Sequence, residues 1–276
     1  MLGGKNREPL GYTIVEVLIV LAVSGLLFVM AANFISGRQG KTAFNQGVNE
    51  MTSRLQGMVN DVSDGNYSDL PASCAFNGTN TVTNSGGAGP PHGENPQCVF
   101  LGKLIHFTGK IPTHTYEILS VAGGRLDTAG KPIVNLNGPN NADPKVLADY
   151  VIIKSDVPQQ LEVKKVLVND GSGNVESYAF GFFQTQGSFD SKGRVASGSQ
   201  SLQIYFLNSN DVGPSQDAFR IRTLYDLDDS GQGKITKAQS ATVCIEDGQR
   251  FARIQIGADG SDSRPTVKAY MKDTPC

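Results

Sequence analysis

The sequence predicts an α+β fold: one long N-terminal helix, membrane-spanning in its first half, packed on a C-terminal head rich in antiparallel sheet. Three observations carry that expectation. Residues 12–32 form a 21-residue apolar run, apolar residues then recur at helical spacing as far as Val62, and from Tyr67 the pattern switches to short runs divided by turn clusters. The chain has 276 residues, 39% of them hydrophobic, enough to bury a sizeable core. Lys and Arg number 24 against 26 Asp and Glu, so charge gives no pointer to nucleic acid or anionic lipid.

The apolar run reads YTIVEVLIVLAVSGLLFVMAA, and its only ionisable groups are Glu16 and the Tyr12 phenol. As a helix rising about 1.5 Å per residue it would extend about 31 Å, matching a bilayer core of roughly 30 Å. Before it stands MLGGKNREPLG, a polar leader whose Lys5 and Arg7 favour the cytoplasmic side. Arg38 and Lys41 beyond the run blunt that asymmetry, so orientation rests also on the cysteines further along. An ordinary secretory signal is cleaved after its apolar run, whereas the small-residue junction here, Gly11, precedes it. Ala22, Ser24, Gly25, Ala31 and Ala32 are small enough to let helices approach closely.

Gly11-Tyr12-Thr13-Ile14-Val15-Glu16-Val17-Leu18-Ile19 resembles the prepilin cleavage and methylation motif of type IV pilin-like proteins: basic leader, junction glycine, aromatic, hydroxyl residue, and an acid fifth after the cut. The resemblance implies a leader of residues 1–11 removed by a prepilin peptidase after Gly11. Tyr12 then becomes the new, N-methylated terminus. Residues 12–35 would form the transmembrane or filament-core helix, 36–64 its amphipathic continuation, and 65–276 an exported β-rich head. The implied partners are other pilin subunits, the peptidase/N-methyltransferase, an inner-membrane assembly platform, and the lipid bilayer before assembly. Many pilins kink this helix with proline, whereas none occurs here between Pro9 and Pro71.

Glu16 is the most informative residue of the run. A carboxylate at the centre of a membrane helix costs roughly 2.5–3.5 kcal/mol, and less near an end, so one retained there calls for a partner. Cleavage would create one, because a new α-amine with a reference pKa of about 7.7–8.0 is mostly cationic at neutral pH. Such an amine on Tyr12 could pair with Glu16 of an adjacent subunit, the assembly role that the resemblance implies for this acid. The alternative is a plain signal anchor whose Glu16 snorkels to the interface.

Phe44, Val48, Met51, Leu55, Met58 or Val59, and Val62 make one helical stripe suited to lying on a sheet, and Asp64-Gly65-Asn66 is a plausible stop. Strands are expected at 98–107, 115–121, 146–154, 161–168, 175–184, 202–207, 219–225, 241–246, 251–257 and 266–271. Residues 170–174 read as a hairpin connection and 77–95 as a loose Gly/Pro-rich surface loop.

Cys74, Cys98, Cys244 and Cys276 lie outside the anchor, match no common zinc spacing, and in an exported head favour disulfides over buried free thiols. Three pairings are possible. Cys74–Cys98, tying down the Gly/Pro loop, with Cys244–Cys276, stapling the C-terminus, is the favoured one. Pilins often carry a similar C-terminal disulfide-bounded region.

Other chemistry is sparse. Asp226, Asp228 and Ser230 resemble the start of a calcium loop, but Lys237 replaces the bidentate acid, so an acidic hairpin is preferred and no metal is expected. His92, His106 and His114 lack a second ligand at metal spacing, and no nucleophile elbow, Walker or HExxH pattern occurs. Neither a cofactor nor catalysis is expected. The leading expectation is a structural subunit, a minor pilin or pseudopilin of a type IV pilus or type II secretion-like filament. It would be a single-pass inner-membrane protein before assembly into a cell-surface or periplasmic filament. The alternative is a filament-tip binding module, an adhesin or a DNA-capturing subunit using Arg220, Arg222, Arg250, Arg253, Arg264 and Lys268. Interspersed Asp217, Asp247, Asp259 and Asp262 argue against nucleic acid.

Overall fold

In the computed structural model, which describes residues 13–64, 74–76, 81–83, 98–108, 111–124, 145–146, 153–185, 201–207, 236–257, 265–272 and 274, the apolar run and the stripe beyond it belong to one helix, α1 (Ile14–Ser63). No proline interrupts it, and it ends where expected, with Asp64 N–H bonded to the Asn60 carbonyl at 2.8 Å in a closing turn. The chain divides into two compact units, Met1–Asn45 and Gln46–Cys276.

In the first unit, Ile14–Ala32 is long and apolar enough to cross a membrane, and none of it is buried within the protein. A helix that is apolar all round belongs in an apolar surrounding rather than in water.

The second unit combines the last turns of α1 with antiparallel sheets. A two-stranded ladder pairs β1 (Cys74–Phe76) with β2 (Thr81–Thr83). The larger sheet contains β3 (Cys98–Phe107), β4 (Thr115–Gly124), β5 (Lys145–Val146), β6 (Ile153–Asp156), β9 (Ala179–Thr185), β10 (Ser201–Leu207) and β11 (Thr236–Ala238). Its order is β11-β10-β9-β3-β4-β5, with β6 also on β4. The smaller sheet runs β14-β13-β12-β7-β8, from β7 (Glu162–Asn169), β8 (Asn174–Glu176), β12 (Ser240–Glu246), β13 (Phe251–Gly257) and β14 (Thr266–Lys272). The α+β class with a long N-terminal helix is thus observed. An isolated bridge couples the sheets, with Thr113 and Val163 exchanging N–H···O bonds of 3.0 and 2.8 Å.

The core follows from periodicity. Val48, Met51, Leu55, Met58, Val59 and Val62 form the buried stripe of α1, and the alternating Val166, Val168, Val243, Ile245, Ile254 and Ile256 line the buried face of the smaller sheet. Phe107, Tyr116, Phe180 and Phe182 build an aromatic run in the larger sheet, Phe180 and Phe182 edge to face at 6.1 Å. Polar groups also tie the helix to the larger sheet. Arg54 Nη1 donates to Tyr116 Oη at 2.6 Å, Lys103 Nζ to Asp61 Oδ2 at 2.7 Å, and Gln184 Nε2 to the Val62 carbonyl.

Close backbone approach explains two glycines. A Cβ on Gly47 would lie 2.6 Å from Leu161 Cδ1 and 3.0 Å from the Pro158 carbonyl, so the helix can rest on the 3-10 turn Pro158–Gln160 only without a side chain there. Gly102 marks a bulge between β3 and β4, and a Cβ at that position would collide with the Phe182 carbonyl.

Two expected strands are corrected. Residues 175–184 do not form one strand: β8 ends at Glu176 in the smaller sheet and β9 begins at Ala179 in the larger. Buried Ser177 makes the break, its Oγ lying 2.7 Å from the carbonyl oxygens of both Ala179 and Leu207 and accepting from Ala179 N–H. Residues 146–154 likewise divide between β5 and β6, which meet different stretches of β4. The expected strand at 219–225 lies outside the described residues. The very short β1, β2 and β11 had no sequence signal strong enough to mark them.

Candidate functional site

The start of α1 is the place where chemistry and exposure coincide. Thr13 is the N-cap: its carbonyl accepts from Val17 N–H at 3.2 Å, the first intrahelical bond. Its hydroxyl oxygen accepts from Glu16 N–H at 3.3 Å, and Thr13 N–H and O–H point back to Glu16 Oε2 at 3.4 and 3.5 Å. That reciprocal arrangement is a capping box. It satisfies N–H groups that a helix start otherwise leaves open, and it sets a carboxylate against the positive end of the helix dipole. The spacing Thr-x-x-Glu is visible in the sequence, where Thr13 also serves as the hydroxyl member of the motif at the start of the apolar run.

Around this box the side chains are apolar and exposed. Ile14 is 80% and Val15 64% exposed, and Glu16 is the only charged residue between Ile14 and Ala32. The box bonds engage Oε2 of Glu16, and a carboxylate carries a second acceptor oxygen, Oε1. The site can therefore accept a donor or pair with a cation while its own helix end stays capped. Gly11 and Tyr12 lie outside the described residues.

The other sequence candidates do not converge on this place. Cys244 is disulfide-bonded, on β12 opposite Arg253 of β13, and no described cysteine is free. The expected partnerships Cys74–Cys98 and Cys244–Cys276 fall outside what is described. Asp226, Asp228, Ser230, Arg220, Arg222, Arg264 and His92 also lie outside the described residues. Among the described residues no group of three or more His, Cys, Asp or Glu is placed to hold a metal. Arg250 closes a hairpin on Asp247, with Nη1–Oδ2 at 3.0 Å. Arg253 and Lys268 sit on adjacent strands, opposite Tyr270 and Gln255.

One buried polar cluster escaped the sequence. His106 and Glu117, 2% and 1% exposed, face each other across β3 and β4, with Nδ1 and Oε2 3.8 Å apart and Lys154 Nζ of β6 3.6 Å from Oε1. His114 instead sits exposed at the next turn, its Nδ1 3.0 Å from the Leu161 carbonyl oxygen. A groove of about 870 Å³ runs beside it, lined by Glu50, Arg54, Asp156 and the Pro158–Gln160 turn. Arg54 is committed within it to Tyr116 and Glu50, and those bonds hold the guanidinium above its already high ordinary pKa.

Comparison with family models, curated proteins and solved structures returned no match. The described residues define an α+β protein with, among them, one membrane-length N-terminal helix and antiparallel sheets in the C-terminal part.

Proposed function

We propose that this chain is a membrane-anchored subunit of the type IV pilin-like class, cut after Gly11 and built through α1 into a filament as a minor pilin or pseudopilin. The observation that carries the reading is Glu16, a lone carboxylate in the first turn of α1 and the one charged group of the exposed apolar stretch Ile14–Ala32. Burying that carboxylate in lipid or among apolar helices without a cation is costly, and pairing removes much of the cost.

The mechanism needs no catalysis by this chain, and the reading assigns it none. Before assembly the bilayer covers Ile14–Ala32, with the head exported. Cleavage exposes the Tyr12 amine, and N-methylation keeps it cationic. The Thr13 cap holds one Glu16 oxygen along its own helix, so the other meets the amine of a neighbouring subunit. Helix docking then follows charge pairing, and small residues such as Gly25, where an added Cβ would meet nothing, leave room for close contact. The head makes lateral contacts with neighbouring subunits.

The test is mass spectrometry of the native polypeptide together with filament assays of two variants. The expected mature chain begins at N-methylated Tyr12. Replacing Gly11 should leave the precursor uncut, and Glu16→Ala should be processed yet incorporated poorly. Incorporation of Glu16→Ala at the parent level would defeat the pairing mechanism, and a mature start elsewhere would defeat the whole reading.

A further inference from the structure

The smaller sheet has a second face, turned away from its core. Ser240, Gly257 and Thr266 stand directly opposite one another across β12, β13 and β14, and Gln255 belongs to the neighbouring row. Opposed residues share a face, and these alternate along their strands with the buried Ala241, Ile254 and Ile256. Gly257 has no side chain to fill its place in the row. A Cβ there would stand 3.3 Å from Ser240 Cβ, so the gap lies beside that residue. A glycine inside a strand marks a place where another group can approach the backbone closely.

A cavity of about 260 Å³ opens over this gap, lined by Gln239, Ser240, Gln255, Gly257, Thr266 and Tyr270. It is a little smaller than the roughly 300–1,000 Å³ of pockets for drug-sized ligands, a size suited to a single ring. Lys268 also borders it, but that side chain is engaged elsewhere and is assigned no role. The remaining lining is chemically uniform. Two carboxamides and three hydroxyls converge, each able both to donate and to accept, and no described carboxylate lines the cavity. Among the described residues the side chains of Gln239, Ser240, Gln255 and Tyr270 hold no hydrogen bond. Thr266 Oγ1 donates to the Gly257 carbonyl at 3.3 Å and keeps its lone pairs. Tyr270 adds an aromatic ring that is 43% exposed.

We propose that this cavity binds one neutral pyranose ring. Sugar hydroxyls, like the lining, are donors and acceptors at once, so each meets a carboxamide or hydroxyl without a charge being buried. The apolar C–H face of the sugar covers the Tyr270 ring, and its edge enters the gap at Gly257. A charged ligand fits less well, because the lining has no unengaged charge with which to pair it. The inference does not depend on the filament reading.

The test uses the full chain in dodecylphosphocholine micelles, whose headgroup carries no sugar. The probes are the methyl pyranosides of glucose, galactose, mannose and N-acetylglucosamine, followed by saturation-transfer NMR. At least one should bind saturably with a Kd below about 10 mM, and about tenfold more tightly than the amino sugar and the uronic acid of the same ring configuration. Tyr270→Ala should weaken binding about tenfold or more, whereas Tyr270→Phe, which keeps the ring, should lose less. Gly257→Ala fills the gap and should also weaken binding about tenfold. Gln255→Ala removes only an exposed side chain and should weaken binding severalfold, which decides the matter if the glycine variant does not fold. Tighter binding of a glycoside than of the free sugar identifies a glycan end as the source, and the reverse identifies a free sugar. No saturable binding of any of the four by about 50 mM, or equal binding of neutral and charged sugars, would overturn the proposal. So would parent-level binding by folded Tyr270→Ala, Gly257→Ala or Gln255→Ala chains.

Discussion

Thr13 and Glu16 stand three positions apart, and that spacing serves both a local and an intermolecular purpose. Locally it closes the helix start with reciprocal hydrogen bonds. In the proposed filament it also aims a carboxylate at a neighbouring chain end. The motif was legible because each of its members has a distinctive side chain. The cap was equally written in the letters but needs the helix boundary at Ile14 to be recognised. Elsewhere at this scale, burial raises the Tyr205 phenol above its ordinary pKa near 10. The folded state then holds that proton more tightly than the unfolded chain. The stability linked to it is intact below about pH 10 and is lost as pH rises through the folded value. Tyr205→Phe should therefore lose less stability than the parent between about pH 9 and pH 11, compared by urea unfolding at each pH. Identical alkaline losses in parent and variant would contradict the linkage.

Elements were read well where a period persists and poorly where a single side chain interrupts it. β3 and β13 run between the expected residues, and α1 ends within a residue of the expected stop, because each is a run of apolar residues closed at its end by turn-forming or polar residues. The 175–184 run looks equally continuous, yet Ser177 divides it by giving the backbone a local partner and sending the two halves to different sheets. Nothing in that stretch alone says that Leu207, thirty residues on, will offer the second carbonyl. Ser177→Ala should cost about 1–3 kcal/mol, because it removes the one O–H that lies between two carbonyls and leaves the buried Ala179 N–H without its acceptor. Thermal melting of the full chain in detergent measures this, and a melting point unchanged from the parent would show that the hydroxyl is dispensable to the corner.

At the scale of the molecule the two units make opposite demands on solvent. The first presents an apolar helix with no internal cover, and the second carries its own core, to which α1 contributes from Val48 to Val62. A chain reduced to Gln46–Cys276 should accordingly unfold cooperatively and stay monomeric without detergent, whereas the full chain should fractionate with membranes. Circular dichroism and light scattering check the first expectation and flotation of vesicles the second. Aggregation of the shortened chain in plain buffer would mean that its core depends on residues removed with the apolar run.

The letters by themselves determined the membrane-length helix with its single acid, the buried stripe beyond it, and most of the strands. Each of these rests on the transfer energy or periodicity of neighbouring residues. Only the tertiary structure decided that Ser177 turns a corner, that Thr113 and Val163 join two sheets, and that His106 and Glu117 are buried face to face. The physical reason is that strand pairing and polar burial depend on partners distant in the chain, and no local pattern encodes which partner arrives.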